Sequence, residues 1–291
     1  MILLINNFTI ITSINDPASK NMQDYLIEDE GFIDNKNNLE IPHNKNNLHL
    51  DYKKYESTNY PNISLIMTNL NLLFINNLDE FIPNNNMIIF LSRHVSKSKM
   101  PTLTSHSTGN FSDNNTTGGK PMEIGNTYPT FQKQYMKNLY DEREKCLGYD
   151  LKIEATHHGP TTSDNPMLFI EIGSSENEWK NRFIASIVCR CLLDTIKKMK
   201  DINYDTNIGL GIGGNHYPQK FNDLILHSNV AFGPIISKYN LSDITTKSIE
   251  QSLSKSIEKI HQIYIDEKGL GKQKEKILNL IKHTEIEIVY I

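Results

Sequence analysis

Met87-Ile88-Ile89-Phe90-Leu91-Ser92-Arg93-His94 is an apolar run that stops on a polar triplet. An apolar run without polar alternation suits a strand covered on both faces, and such strands belong to parallel or mixed sheets with helices on either side. Polar residues that start where the strand stops fall at the sheet edge, where α/β folds place their ligand crevice. Two more segments repeat the pattern. Residues 151–155 lead into Glu154-Ala155-Thr156-His157-His158-Gly159-Pro160, and residues 207–212 into Gly211-Ile212-Gly213-Gly214-Asn215-His216-Tyr217. His106 lies near the end of another short strand, over residues 102–107. Side chains that converge in this way point to an enzyme.

Outward from this stretch, residues 8–12 read as a strand. Asp16-Pro17 then supplies an N-cap and a first-turn proline for a helix reaching about residue 27. Strands are expected at 63–67, 72–75, 167–172, 260–265 and 285–291, and helices at 130–146, beyond Gly233-Pro234, and at 273–283. Trp179, Phe183, Ile184, Ile187, Val188, Cys191, Leu192 and Ile196 keep the spacing of one buried helical face. Residues 35–62 are polar and asparagine-rich, which reads as a long surface excursion. The alternation predicts an α/β fold, a mostly parallel or mixed sheet flanked by helices, built as a single domain over residues 1–291.

A net charge of -4 excludes a protein coated in nucleic acid and allows only a small basic patch beside one site. Residues 1–5 are apolar but too short for a signal core or a membrane span, so a cytoplasmic location with no membrane contact is expected. Cys146, Cys189 and Cys191 form no CxxC pair, which argues against a disulfide framework or a cysteine-rich zinc site. The sequence lacks HExxH, GxSxG and a P-loop, the marks of zincins, serine hydrolases and NTPases.

Glu154 with His157 and His158 combines a carboxylate and two imidazoles just past a strand end, a set that transfers protons near neutral pH or binds zinc. Gly213 and Gly214 permit positive φ and expose backbone amides suited to an oxyanion or phosphate. His94 and His106 add two more imidazoles, and Lys97 and Lys99 can meet RNA phosphates. Each motif also has a bland reading: a capping histidine, a tight turn, a solvated lysine.

Taken together and in order, these motifs resemble the archaeal-type D-aminoacyl-tRNA deacylase family, which also occurs in plants. The resemblance is carried by Ser92-Arg93-His94, Thr108-Gly109-Asn110, residues 154–160, Phe169-Ile170-Glu171-Ile172-Gly173-Ser174-Ser175-Glu176 with Trp179, residues 209–217, and Ala231-Phe232-Gly233. It implies a cytosolic, zinc-dependent esterase with a phosphorylase/hydrolase-like fold. Its substrate would be the 3′ end of D-aminoacyl-tRNA, D-tyrosyl esters included, and it would recycle tRNA and counteract D-amino-acid toxicity. The chain departs from the family pattern in its asparagine-rich excursion and in Ser105 and Ser107 beside His106.

On this reading His157, His158, His216 and Glu154 are the catalytic residues. His94, His106, Glu154, His157 and His158 are candidate zinc ligands, and Gly213, Gly214, Lys97 and Lys99 bind substrate. A monomer without a protein partner is expected. The rival readings are a peptidyl-tRNA hydrolase, a nucleoside phosphorylase, and a non-catalytic protein that binds tRNA ends.

Overall fold

The apolar run at 87–91 is buried on both faces because its alternate side chains enter two different cores. Met87, Ile89 and Leu91 join Phe8, Ile10, Leu168 and Ile170 in one cluster, and Ile88 and Phe90 join Ile11, Ile66, Met167 and Phe169 in another. The computed structural model describes residues 5–35, 52–201 and 205–291. Residues 1–4 of the apolar opening and 36–51 of the asparagine-rich excursion lie outside the described residues.

In chain order the elements are β1 (Asn7–Ser13), α1 (Pro17–Glu28), β2 (Phe32–Asp34), β3 (Lys53–Ser57), β4 (Ile63–Thr68), β5 (Asn86–His94) and β6 (Thr102–His106). Then come α2 (Pro129–Asp141), β7 (Asp150–Ile153), β8 (Met167–Gly173), α3 (Glu176–Trp179), α4 (Arg182–Lys198) and β9 (Asn207–Ile212). The chain closes with α5 (Gln219–His227), β10 (Val230–Ile236), α6 (Thr246–Ser254), β11 (Gln262–Ile265), α7 (Glu267–Leu270), α8 (Lys274–Ile281) and β12 (Glu287–Tyr290). They form a mixed eight-stranded sheet in the order β2-β3-β4-β1-β5-β8-β6-β7 and a four-stranded sheet in the order β10-β9-β11-β12. The four strands of the second sheet are parallel. In the first, β4, β1, β5 and β8 run parallel, whereas β6 runs antiparallel to β8. Helices α1, α2 and α4 cover one face of the first sheet, and side chains of α5, β10 and β11 enter the same apolar cluster, which spans both sheets.

Asp16 caps α1 as its sequence implies, accepting from the amides of Ala18 and Ser19, an arrangement worth about 1 kcal/mol. Three expectations need correction. Residues 72–75 do not form a strand: Leu72–Phe74 is a 3-10 turn capped by the Asn71 side chain, and Leu72, Ile75, Leu78 and Ile82 face one core at turn-like spacing. Within the polar excursion, residues 53–57 form β3, whose polar composition had hidden its antiparallel pairing with β2 and β4. The helix expected after Gly233-Pro234 is α6, and the dipeptide itself lies inside β10, a strand that had no sequence assignment. The proline has no N–H, so the ladder with β9 shifts register between Phe232 and Ile235, as an edge strand tolerates. Trp179 and Phe183 do not share one helical face. The helix breaks at Asn181, which caps α4, and Phe183 is left exposed.

Lys133 of α2 ties the two sheets together. Its buried ammonium donates to the carbonyls of Ile225 (2.7 Å), Ser228 (2.6 Å) and Val230 (3.0 Å), at the end of α5 and the start of β10. Lys133→Met keeps the apolar stem but leaves two buried acceptors and one half-buried acceptor without this donor. Urea unfolding is expected to show a loss of roughly 1–3 kcal/mol, and an unchanged midpoint would mean that water replaces the ammonium.

Candidate active site

Strand pairing brings the polar ends of three strands together on one face of the first sheet. Ser92 lies beside Glu171, Thr104 lies opposite Glu171, and His106 lies opposite Phe169. Within two residues along β8 this face changes from the stacked rings of Phe90 and Phe169 to a buried carboxylate. Ser92 donates its hydroxyl to Glu171 Oε1 at 2.6 Å, and His94 Nδ1 lies 3.1 Å from Glu171 Oε2.

Past the end of β7 the backbone links both sheets. Glu154 N–H donates to Ser105 O, Ala155 N–H to His216 O, and Thr156 N–H to Ile235 O. These bonds press the Glu154 carboxylate into the interior, where its oxygens lie 2.6 Å from His216 Nε2, 3.1 Å from His94 Nδ1 and 3.7 Å from His157 Nε2. Ser105 and Ser107 have defined work here. Gln132 donates to Ser105 Oγ, and the Ser107 and Thr156 hydroxyls are 2.8 Å apart.

His106, His157 and His158 pack as a cluster of rings 4.1–4.6 Å apart. Each turns Nδ1 to a backbone carbonyl: Ser107 O for His106, Ala155 O for His157 and Gly159 O for His158. A carbonyl only accepts, so Nδ1 carries the proton in the neutral ring and Nε2 keeps its lone pair. One ligand-capable atom from each ring lies within 4.8 Å of the others. His158 holds φ 43°, a costly conformation that persists where surrounding contacts enforce it. Here Gly109 N–H bonds to His158 O, and the loop at Gly118–Gly119 packs so closely that a Cβ on Gly159 would overlap Gly119 N.

The electrostatics divide these groups. Burial would raise Glu154, but His216 and His94 outweigh it and hold its carboxyl well below the usual range. Glu171 is likewise lowered despite burial, by His106 and His94. Burial pulls His94 down, yet bonds to Glu154 and Glu171 raise it to about 10, so it is an imidazolium at neutral pH. Burial and the adjacent His106 push His158 down to about 4 and lower His157 well below the ordinary value, which keeps both rings in the neutral form that binds metals. Burial opposes protonation of His106 too, but Glu171 and Glu154 raise it. Positive charge is thus drawn to a site where His106 Nε2 makes no hydrogen bond. At 3.9 Å, His106 Nε2 and Glu171 are too far apart for one. The donor set of imidazole nitrogens and a carboxylate therefore fits a zinc ion.

The cluster opens into a cleft of about 630 Å³ at the carboxyl ends of β1 and β5, lined by His94, His157, His158, Glu171 and His216 together with Asp16, Asn71 and Arg93. The sequence-predicted residues divide around it. His94, His106, Glu154, His157, His158 and His216 come together. Gly213 and Gly214 adopt positive φ, but the Gly213 amide already bonds to Ile236 O, and neither glycine lines the cleft. Lys97 and Lys99 sit exposed on the loop after β5, away from the lining. Two site residues had no role assigned from sequence. Glu171 was legible as a carboxylate inside an apolar strand, which demands partners. Tyr217, whose hydroxyl lies 2.6 Å from His94 Nε2, adjoins His216 and had no other signal.

A family model described as D-aminoacyl-tRNA deacylase matches residues 81–289, a segment that contains the whole histidine–carboxylate cluster. Proteins named D-aminoacyl-tRNA deacylase from Methanococcus maripaludis and Pyrococcus furiosus are 35% and 33% identical to the chain, each alignment covering 96% of it and 98% of the relative. The one from Cenarchaeum symbiosum is 36% identical over 69% of the chain and 76% of its own length. A crystal structure of a conserved protein of unknown function superposes with a TM-score of 0.83 at 27% identity, covering 99% of this chain and 96% of the other.

Glu171→Gln preserves shape but removes one of the two charges that hold His94 protonated. In the metal-free protein the His94 pKa, followed by imidazole NMR, is expected to fall from about 10 toward the ordinary range. A raised imidazole contributes stability that is complete below its unfolded pKa of about 6.5 and is lost as pH rises through the folded value. The variant should therefore lose most stability below about pH 6.5, and the loss should fade as pH rises toward 10. A titration that does not move would show that Glu154 alone sets the charge.

Proposed function

The chain belongs to the D-aminoacyl-tRNA deacylase family and is a hydrolase of the aminoacyl-tRNA ester, and we propose that it works with zinc held by His106, His157 and His158. What supports this reading is one observation: three imidazoles fix Nδ1 on backbone carbonyls and converge beside the buried Glu154. Zinc, when bound in such a site, acidifies water and polarises a carbonyl.

The chain's own residues supply the rest. His216 lies half-exposed in the cleft with Nε2 against the Glu154 carboxylate. A neutral ring that donates Nε2–H there presents Nδ1 as a base, oriented by a partner that stays ionised. His94, with both nitrogens engaged by Glu154, Glu171 and Tyr217, is better suited to a fixed positive charge beside the developing oxyanion than to a metal ligand. That role replaces the one expected for the Gly213–Gly214 amides. Lys97 and Lys99 would meet tRNA phosphates farther from the ester. D-Tyrosyl-tRNA is among the substrates on this reading, and hydrolysis in the cytoplasm would recycle tRNA and limit D-amino-acid toxicity. The chain would act as a monomer. Among the described residues no helix is long and apolar enough to cross a membrane. No observation favours the peptidyl-tRNA hydrolase, nucleoside phosphorylase or binding-protein readings over the family match.

Purified protein is expected to deacylate D-tyrosyl-tRNA much faster than L-tyrosyl-tRNA. Stripping zinc with a chelator should abolish turnover, and added zinc should restore it. His106→Ala, His157→Ala and His158→Ala should lose bound zinc by metal analysis. His216→Ala should keep its zinc but turn over about 10²–10⁴-fold more slowly. Equal rates on the two enantiomers would remove the chiral assignment, and full activity in zinc-free protein would remove the metal.

A further inference from the structure

Arg93 is held in place for an anion that the protein does not itself supply. It precedes His94 on β5 and, by the pleat, points to the opposite side of the sheet, reaching the cleft at the rim where β1 ends. Its backbone N–H donates to Asp16 Oδ2 at 3.0 Å, and its Nε lies 4.0 Å from the same oxygen. The guanidinium carbon lies 5.5 Å from the centre of the Trp179 ring. Neither support is free to drift. The other oxygen of Asp16 caps α1 through Ala18 and Ser19, and the Trp179 indole N–H donates to His94 O at 3.1 Å. The terminal nitrogens Nη1 and Nη2 have no hydrogen-bond or ion-pair partner among the described residues, and the side chain is 46% exposed. A planar guanidinium lying over an indole, with Nε near a carboxylate and its two-nitrogen fork open, presents the geometry that matches a phosphate.

We propose that Arg93 binds the phosphate of the 3′-terminal nucleotide, so that the cleft reads this phosphate at its rim while the ester sits among the histidines. This rests on the deacylase reading. An aminoacyl ester has no free carboxylate, and its amino group is a cation, so the anions of an aminoacylated 3′ end are its phosphates. Arg93 shares the cleft lining with His94, whereas Lys97 and Lys99 lie outside it. The phosphate nearest the ester therefore falls to Arg93, and more distant ones to the lysines.

The test compares 3′-O-D-tyrosyl-adenosine with the same ester of 5′-AMP as substrates of the zinc-loaded enzyme. Unmodified protein is expected to show a KM about ten- to a hundredfold lower for the AMP ester, the range of a hydrogen bond to a charged group. Arg93→Ala should erase that preference, and Arg93→Lys, which keeps the charge but not the fork, should retain part of it. Calorimetry of AMP against adenosine binding to the same proteins reads the phosphate contact without turnover. If the preference survives in Arg93→Ala, or AMP binds no better than adenosine to unmodified protein, the assignment is overturned. If neither ester is hydrolysed the deacylase reading fails, and the AMP-versus-adenosine comparison still decides the role of Arg93.

Discussion

The buried carboxylate of Glu154 is the constraint on which the rest of the site depends. Leaving such a charge without its partner costs about 3–5 kcal/mol, so the fold must deliver imidazoles to it from both sheets. His94 comes from β5, His216 from the loop after β9, and His157 from three residues along the same segment. The backbone of residues 154–156 makes the delivery possible by bonding to β6 on one side, and to β10 and the His216 loop on the other. The junction between the sheets and the centre of the site are therefore one structure. A change that loosens either loosens the other.

Elements whose burial leaves a mark on composition were legible in the sequence. The runs at 87–91 and 207–212 read as interior strands because both of their faces are covered. The segment at 72–75 did not read correctly and strands β3 and β10 did not read as strands, because each is decided by its neighbours: a side-chain cap from Asn71, a polar strand held between β2 and β4, a bulge at Pro234. Strand direction left no mark at all. Hydrophobic pattern specifies which face is buried but not which way a strand runs, so the antiparallel pairing of β6 with β8 was invisible. That pairing matters to the site. It sets His106 opposite Phe169, deep in the sheet, where a parallel β6 would have carried it to the same edge as His94.

The site itself was partly legible for the same reason. His157, His158 and His216 follow apolar runs, so their position beside a crevice could be read directly. Their division of labour could not, because it depends on which nitrogen meets a carbonyl and which meets a carboxylate. Gly213 and Gly214 show the limit from the other side. Their positive φ was correctly implied by residue type, but the Gly213 amide was claimed by Ile236 O, a partner distant in sequence.

Charge gives the cleft a direction. At its inner end the carboxylates of Glu154 and Glu171 are set against the His94 imidazolium and the raised His106, and bound zinc would add positive charge there, so the direction does not come from that end. It comes from the rim, where Arg93 presents a positive fork. A D-aminoacyl nucleotide carries an ammonium beside the ester and a phosphate on the far side of the ribose. On the proposed reading that phosphate meets Arg93 only when the amino acid enters first, and the reverse orientation is disfavoured because the ammonium would face Arg93, a contact between like charges. Such discrimination works by penalising the wrong pose. It orients the substrate without reading the amino-acid side chain, and leaves the distinction between enantiomers to the shape of the inner end.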